Sequence, residues 1–291
     1  MAAGSLTHMI KRVGICGSGI MGSGIAEVAA KAGFDVVLRS RHQATADATI
    51  AGLEKSLQRQ VDKGRLSEED RDAVLGRVSG TERIADLADC DLVIESVVED
   101  LATKKALFLE LDHAVKAGAI LATNTSRLPV IEMAVETGRA DRFCGIHFFN
   151  PAPAMSLVEV VRPLTASDET IAQAKQFAAD CGKNPVEVAD RAGFIVNALL
   201  FPYLNNAVRM LENGTASRDD IDTAMKGGCN FPMGPLALLD LVGLDTSVAI
   251  LDALYDEFRD PNYSTVPLLR RMVSAGHLGR KSGRGFYDYQ R

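Results

Sequence analysis

The sequence predicts an α/β fold in its first part and an all-α region after it. In the first part, short apolar runs alternate with segments of helical periodicity, as a parallel sheet covered by helices requires. From Asp190 onward the apolar spacing is helical. A chain of 291 residues is long enough for two domains that each bury a core. We therefore predict a sheet domain over residues 1–189 and a helical domain over 190–291.

The strands and helices of the first domain follow from these runs in order. Residues 13–16 form the first strand, a glycine turn follows, and a helix continues to Ala32. Residues 36–38 form the second strand. The polar segment over about 44–75 has helical periodicity and is longer than a crossover needs, which predicts a helical-hairpin excursion. Later elements are a helix over 102–116 and strands over 92–95, 120–122 and 143–146. This βαβ pattern throughout predicts a doubly wound parallel sheet.

Helices dominate the second domain because apolar residues recur at helical spacing over 194–211 and 234–258. Ser217 and Asp220 form a capping-box pattern, and Asp245 is predicted to cap the last part of 234–258. The apolar surplus on these helices exceeds what such a small domain buries alone, so we predict a homodimer.

Composition and charge argue against several classes of function. A hydrophobic fraction of 47% and a charged fraction of 24% are typical of a globular protein. The net charge is −6, and without a long basic run nucleic acid is not expected as a partner. No apolar run approaches the length of a membrane span, and residues 1–8 are too short for a signal or transit peptide, so we expect the cytoplasm and no membrane. The sequence leaves open whether residues 1–8 belong to the natural chain.

Cysteines and histidines show no pattern of a metal site or a nucleophile. The five cysteines are widely spaced without a CxxC pair, which predicts reduced, mostly buried thiols. The five histidines are His8, His42, His113, His147 and His277. No two of them stand at ligand spacing on one helix, so we expect no metal.

A glycine motif predicts a dinucleotide site in a Rossmann-like domain. Gly17, Gly19 and Gly22 fit G-x-G-x-x-G directly after the first strand, before a helix that Ile20 and Met21 open. Gly17 permits a tight turn, Gly19 lets a pyrophosphate approach the backbone, and Gly22 lets the helix pack on the strand. The N–H groups at the helix N-terminus face the phosphates. The alternative, a glycine-rich turn without a ligand, fits this βαβ setting less well.

The end of the second strand indicates which dinucleotide binds. NAD-binding domains place an acidic residue there for the ribose 2′-hydroxyl, whereas this chain has Arg39, Ser40 and Arg41. No carboxylate repels a 2′-phosphate, and two guanidinium groups are available to bind one, so the chemistry favours NADP(H). The alternative is that the arginines are ordinary surface charges and that NAD binds through other contacts.

Six segments occur in a fixed order, and these are residues 17–25 (GSGIMGSGI), 124–126 (NTS), 145–151 (GIHFFNP), 190–197 (DRAGFIVN), 232–235 (PMGP) and 278–287 (LGRKSGRGFY). Together they resemble the 3-hydroxyacyl-CoA dehydrogenase family, and within it the short-chain 3-hydroxybutyryl-CoA type. The similarity extends from Lys11 to Tyr287, and ordered motifs are far more specific than one glycine loop. The resemblance implies interconversion of (S)-3-hydroxyacyl-CoA and 3-oxoacyl-CoA by hydride transfer with a nicotinamide cofactor.

The resemblance implies that His147 is the acid/base and that Glu159 orients it. Oxidation of a secondary alcohol needs a proton acceptor as hydride leaves, and histidine accepts and returns protons near neutral pH. His147 ends an apolar strand, where α/β folds place their sites. Glu159 lies inside the apolar run 157–161, where a carboxylate is costly unless it is paired. Taken singly, the alternatives are a core histidine and an exposed glutamate on an edge strand.

Three polar residues are expected beside this pair. Ser126 matches the family serine whose hydroxyl binds the substrate oxygen and the histidine, and Asn197 matches the asparagine that helps to polarise the substrate. Asn124, at a strand end, is expected to contact the cofactor. Without the resemblance, residues 124–126 are typical of an N-cap or turn. Arg127 stands where the family commonly has a second serine, so the detailed shape of the pocket stays open.

Four further residues match ligand-contacting positions of the family. Glu99 and Lys104 match positions near the nicotinamide and its ribose, although their context alone indicates a loop charge and a lysine on a helix surface. Ser56 and Lys63, on the helical excursion, match positions that contact CoA. An exposed lysine is more often only solvated.

Two alternatives to an acyl-CoA dehydrogenase stay open. The same fold could act on an acyl group held by an acyl carrier protein, and the basic end of the second strand suits such a biosynthetic, NADPH-consuming role. A lens crystallin also resembles this family and is not catalytic. The joint presence of His147, Glu159, Ser126 and Asn197 argues against a non-catalytic protein.

Overall fold

The computed structural model describes residues 10–289. Residues 1–9, which include the segment 1–8 and His8, and residues 290–291 lie outside the described part. The chain divides into two compact units between Asp190 and Arg191. The first unit combines a sheet with helices and the second is helical, which confirms the predicted fold class.

The first unit is built on one sheet of eight strands, which are β1 (Arg12–Cys16), β2 (Asp35–Arg39), β3 (Val78–Thr81), β4 (Leu92–Glu95), β5 (Ile120–Thr123), β6 (Phe143–Phe148), β7 (Leu157–Arg162) and β8 (Asn184–Ala189). Their spatial order is β3-β2-β1-β4-β5-β6-β7-β8, so the order reverses between β1 and β4. Strands β4, β5 and β6 are buried along their whole length. Continuous burial explains their unbroken apolar runs, since helices cover both faces of a parallel sheet.

The predicted βαβ pattern fails at one place, because β6 and β7 are antiparallel. Only residues 149–156 connect these two strands. A parallel neighbour needs a crossover of about a dozen residues or more, so this short connection turns the chain back on itself. The sequence pattern also missed β3 and β8, and it identified residues 157–161 only as an apolar run and not as the strand β7. Strand β3 contains Ser79 and Gly80 and β8 alternates between partly and fully exposed residues, so neither has the apolar run of a buried strand.

The α-helices of the first unit are α1 (Ile20–Lys31), α2 (Gln43–Asp62), α3 (Glu68–Gly76), α4 (Leu101–Ala114), α5 (Val130–Ala134) and α6 (Asp168–Asp180). Helices α1 and α4 correspond to the helices predicted up to Ala32 and over 102–116. Helices α2 and α3 form the predicted excursion, with a turn at Gly64, whose φ is +66°. The hydroxyl of Ser67 caps α3 by accepting a hydrogen bond of 3.0 Å from the Asp70 N–H.

The second unit contains the helices α7 (Val196–Glu212), α8 (Arg218–Cys229), α9 (Pro235–Val242), α10 (Leu244–Phe258) and α11 (Pro267–Ser274). Within residues 191–289, β structure is limited to isolated bridges from Arg284 to Gly279 and Asp288. Ser217 begins α8 as predicted, because its Oγ accepts a hydrogen bond of 3.2 Å from the Asp220 N–H.

The helix predicted over 234–258 is interrupted at Gly243. The φ of Gly243 is +102°, in the region that favours glycine, so α9 ends and α10 begins there. The prediction that Asp245 caps this helix is therefore wrong. Asp245 lies in the first turn of α10, and its carboxylate binds Lys281 Nζ at 2.7 Å.

Two buried carboxylates connect the helices of the second unit to its C-terminal segment. Asp222 accepts hydrogen bonds from two N–H groups at the start of α9, and Asp240 accepts them from Phe286 and Tyr287. Burial and, more weakly, the charge of Asp222 raise the pKa of Asp240 against the lowering effect of its hydrogen bonds. The start of α9, directly after the segment 232–235, and the end of the segment 278–287 are thus held by buried carboxylates.

Membrane-spanning and metal-binding arrangements were sought within residues 10–289. None of the helices there combines the length and the apolar character that a membrane span needs. The same residues form no group of three or more His, Cys, Asp or Glu side chains placed to hold a metal ion. Cys16, Cys90 and Cys144 are buried thiols, and burial raises the pKa of Cys16 to about 12, which makes it a poor nucleophile.

Asp91 connects the amino ends of two strands to the end of α4. Its Oδ2 accepts hydrogen bonds from the backbone N–H groups of Lys11 and Arg12, at 2.8 and 2.9 Å, and its Oδ1 binds Lys116 Nζ at 2.6 Å. Burial raises the pKa of Asp91, but the hydrogen bonds from Lys116, Arg12 and Lys11 outweigh burial and hold it below its ordinary value of 3.8.

We expect Asp91→Asn to lower the free energy of unfolding at pH 7 by about 1–2 kcal/mol, because a charged acceptor is lost. A carboxylate with a lowered folded-state pKa stabilises fully above its unfolded-state value of 3.8, and this stabilisation is lost as the pH falls through the folded-state pKa. Urea unfolding from pH 7 downward measures the difference, with the exposed neighbour Asp89→Asn as control. A difference that stays constant with pH would contradict this account.

Candidate active site

The glycine turn after β1 requires glycine at two positions. Gly17 has a φ of +120°, and a Cβ atom on it would lie 2.2 Å from the carbonyl oxygen of Ser96, which follows β4. A Cβ atom on Gly22 would lie 1.9 Å from the carbonyl oxygen of Gly17. Both contacts are far too short, so side chains at these positions would force the turn and α1 apart. The turn lies where the strand order reverses, which is where open α/β sheets bind ligands.

The space beside Gly19 fits a phosphate group. Gly19 is the N-cap of α1 and makes no side-chain cap, and the first turn of α1 contains no acidic residue. A Cβ atom on Gly19 would meet no heavy atom within 4 Å, and the next residue, Ile20, is 78% exposed. Backbone N–H groups of Ile20 and Met21 thus open onto solvent at the positive end of a helix dipole. This arrangement suits a pyrophosphate.

The three residues at the end of β2 have different surroundings. Arg39 ends the strand, and its Nε donates a hydrogen bond of 3.3 Å to the carbonyl oxygen of Glu82. Ser40 is buried, with its hydroxyl 2.9 Å from that of Ser18 in the glycine turn. Arg41 is exposed, at the bend that follows β2. The position of the usual acidic residue therefore contains a hydroxyl that lies within hydrogen-bonding distance of the glycine turn.

His147 and Glu159 form a buried pair across two strands. The antiparallel register of β6 and β7 sets them directly opposite each other. The His147 Nδ1 atom lies 2.8 Å from Glu159 Oε2, and the exposed fractions are 6% for His147 and 0% for Glu159. The Phe149 ring lies 4.5 Å from the imidazole, measured between ring centroids. This packing and the hydrogen bond hold the imidazole in one orientation at the carboxyl end of β6.

The loop after β5 lies at the same edge of the sheet. The Oδ1 atom of Asn124 accepts a hydrogen bond of 2.8 Å from the Phe148 N–H, so Asn124 holds the end of the strand that carries His147. The Ser126 N–H donates to Glu99 Oε1 at 3.1 Å. Asp190 accepts hydrogen bonds from the first two N–H groups of α5, which follows this loop. Hydrogen bonds thus fix the loop at both of its ends.

Lys104 is not the surface lysine that its sequence context indicated. It lies on α4 with 1% of its side chain exposed. Its Nζ binds Glu95 Oε1 at 2.6 Å and Glu99 Oε2 at 3.1 Å. We call Glu95, Lys104 and Glu99 the ionic triad. Lys104 tolerates burial because its ammonium group lies between two carboxylates, which replace water as hydrogen-bonding partners.

Sequence reasoning missed two carboxylates near these residues. Glu95, the last residue of β4, is completely buried. The argument that supported Glu159, a carboxylate inside an apolar run, applies equally to Glu95 and would have found it. Glu82, whose Oε2 accepts a hydrogen bond of 2.9 Å from the Gln43 N–H at the start of α2, follows the missed strand β3 and left no such signal.

The remaining predicted residues lie on helices or at helix ends. Ser56 is half-buried on α2, and Lys63 is exposed at the end of that helix. Asn197 belongs to the second unit, where it lies in the first turn of α7. Asn124, Ser126, His147, Glu159 and the ionic triad are therefore the predicted and newly found residues that the first unit gathers at one edge of its sheet.

Comparisons with known proteins show which family the chain resembles over almost its whole length. Residues 12–191 match the family described as 3-hydroxyacyl-CoA dehydrogenase, NAD binding domain, and residues 193–289 match the corresponding C-terminal domain. The chain is 48% identical to a 3-hydroxybutyryl-CoA dehydrogenase of Mycobacterium tuberculosis, over 98% of this chain and 100% of that protein. A protein of the same name from Clostridioides difficile is 46% identical, over 96% of this chain and 100% of that protein. The crystal structure of (S)-3-hydroxybutyryl-CoA dehydrogenase PaaH1 from Ralstonia eutropha has a TM-score of 0.95 and 44% identity, over 97% of this chain and 100% of that chain.

Proposed function

The chain belongs to the 3-hydroxyacyl-CoA dehydrogenase family and is a nicotinamide-dependent dehydrogenase, and from this we propose that it interconverts (S)-3-hydroxybutyryl-CoA and acetoacetyl-CoA. The observation that carries the proposal is the buried His147–Glu159 pair at the sheet edge that also bears the glycine turn. A base beside a dinucleotide site is what oxidation of a secondary alcohol requires.

His147 accepts the proton of the substrate hydroxyl and returns it in the reverse direction. Because Nδ1 is engaged by Glu159, Nε2 is the ring nitrogen that exchanges the proton. Glu159 fixes this tautomer and stabilises the imidazolium that forms, since its buried carboxylate gains a charged partner. The bound nicotinamide supplies the hydride chemistry at the substrate carbon.

Two polar groups orient the substrate in this proposal, and a third holds the strand that carries His147. Ser126 binds the substrate oxygen, and Asn197 helps to polarise it. Asn124 keeps the end of β6, and with it His147, in position through the Phe148 N–H. Ser56 and the exposed Lys63 on α2 contact the CoA, whose phosphates need cationic or hydrogen-bonding partners on an acidic protein.

We expect His147→Ala to lower kcat roughly a hundred- to ten-thousandfold, because the proton has no acceptor, while cofactor binding is retained. Glu159→Gln should also be severe, because it removes the buried charge that orients the imidazole. Initial rates with acetoacetyl-CoA and cofactor titrations measure both effects. The same assay with the acetoacetyl group on an acyl carrier protein tests the alternative substrate. A His147→Ala enzyme within a few-fold of the parent would show that the acid/base lies elsewhere.

The surroundings of Ser40 support NADPH as the preferred cofactor. Its hydroxyl lies 2.9 Å from that of Ser18 in the glycine turn, and because this residue is a serine, no carboxylate at this position repels a 2′-phosphate. The chain bends directly after Arg39, which lets the exposed Arg41 turn toward a bound phosphate instead of continuing along the strand. A charge-assisted hydrogen bond contributes about 1.5–3 kcal/mol, which is about ten- to a hundred-and-fiftyfold in affinity.

We expect kcat/KM with NADPH to exceed that with NADH in the parent enzyme, and Ser40→Asp with Arg41→Ile to reverse the preference. The aspartate adds repulsion and an acceptor for the ribose hydroxyl, and the isoleucine removes the cation. Each single variant separates repulsion from attraction. Equal or better kcat/KM with NADH in the parent would refute the preference.

We also expect a homodimer that forms through the helical unit. Large apolar side chains are exposed there, notably Leu199 at 73% and Leu241 at 49%, and such exposure is typical of a surface that a second copy covers. Sedimentation velocity at micromolar concentration measures the assembly. A monomer would contradict this proposal.

The cytoplasmic location stays a prediction.

A further inference from the structure

The ionic triad of Glu95, Lys104 and Glu99 contains one more carboxylate than a buried lysine needs. Glu95 is 0% exposed, and each of its oxygens already has a partner. Its Oε1 accepts hydrogen bonds of 2.6 Å from both Lys104 Nζ and the Val97 N–H, and its Oε2 accepts one of 2.8 Å from Thr123. Glu95 alone thus neutralises the lysine. Glu99 adds a second negative charge on the outer side of Lys104, which gives the triad a formal net charge of −1.

The triad lies between the glycine turn and His147. Glu95 ends β4, and the spatial order β1-β4-β5-β6 sets it one strand from the glycine turn and two strands from His147. Neighbouring strands are about 4.8 Å apart, so both features lie within roughly 10 Å. Glu99 also accepts hydrogen bonds from the Thr125 hydroxyl and the Ser126 N–H. The triad is therefore built into the wall of the crevice between phosphate site and acid/base.

We propose that the negative charge of the ionic triad raises the affinity of the enzyme for oxidised nicotinamide relative to its affinity for reduced nicotinamide. This inference rests on the proposed function, since a cofactor that extends from the glycine turn toward His147 places its nicotinamide ring beside the triad. The ring is cationic when oxidised and neutral when reduced. A net negative charge in a poorly hydrated wall stabilises the cation, and water screens this attraction only weakly. The neutral ring gains no comparable stabilisation.

The test compares dissociation constants for oxidised and reduced cofactor in the parent, Glu95→Gln and Glu99→Gln. Each substitution keeps the shape of the side chain and removes one negative charge. The chain has no tryptophan, so calorimetry serves for the oxidised form and fluorescence of the reduced nicotinamide for the other. We expect the ratio of the oxidised to the reduced constant to rise roughly three- to thirtyfold in both variants, with the reduced constant changed less than about twofold.

Asp112→Asn is the matched control. Asp112 is a carboxylate on the same helix α4, paired with Arg139 at 2.6 Å, near the end of the helix remote from Glu99. It loses the same charge outside the crevice, so its ratio should equal that of the parent. Equal weakening of both cofactor forms in Glu95→Gln and Glu99→Gln would assign the triad a purely structural role and overturn the inference. An unchanged ratio would overturn it as well.

Two further outcomes separate a failure of a variant to fold, a failure of the proposed function and a failure of the proposed role of the triad. If Glu95→Gln does not fold, Glu99→Gln decides alone, because Glu99 is 31% exposed and its loss leaves the Glu95–Lys104 pair intact. A parent that binds neither cofactor form would overturn the proposed function itself. A parent that binds both forms, with variants whose ratio is unchanged, would overturn only the role of the triad.

Discussion

The buried carboxylate of Glu159 needs a partner, and this need determines how the sheet edge is arranged. An unpaired carboxylate away from water costs several kcal/mol, and the antiparallel register of β6 and β7 supplies His147 as the partner. That register depends on the short connection 149–156. Lys183 anchors the connection, because its Nζ donates hydrogen bonds of 2.7 and 2.8 Å to the carbonyl oxygens of Ala152 and Met155. The His147–Glu159 pair is thus a consequence of how the chain reverses.

The parallel strands explain why the other polar groups meet this pair. Strands β1, β4, β5 and β6 end at one edge, so residues far apart in the chain come together there. Asn124 holds the backbone of β6, and Glu99 holds the backbone of Ser126. Each contact joins a side chain of one strand end to the main chain of another segment. The edge therefore keeps its geometry through backbone contacts that substitutions elsewhere in the loops leave intact.

The sequence predicted those parts of the fold and site that depend on local patterns. The glycine turn was predicted because three glycines at this spacing between a strand and a helix are typical of one local backbone structure. Strand β7 and its direction were not predicted, since the apolar run 157–161 does not by itself distinguish a strand from another buried segment or a parallel strand from an antiparallel one. Lys104 was placed on the surface because helical spacing does not reveal a buried carboxylate in a neighbouring strand. The break at Gly243 depends on a single dihedral angle that periodicity does not register.

The two buried clusters at this edge, His147–Glu159 and Glu95–Lys104–Glu99, differ in the basic residue that each contains. The difference matches their proposed roles. Histidine changes its charge near neutral pH, so the His147–Glu159 pair suits a proton that must leave and return. Lysine ordinarily carries its charge throughout the neutral range, so the Glu95–Lys104–Glu99 cluster suits a constant field. If histidine and lysine exchanged places, a fixed charge would stand beside Glu159, where the proposed mechanism needs proton transfer. A group that changes its charge would stand between Glu95 and Glu99, where it does not. The same fold thus uses burial in both places, and the choice of partner decides whether the charge moves.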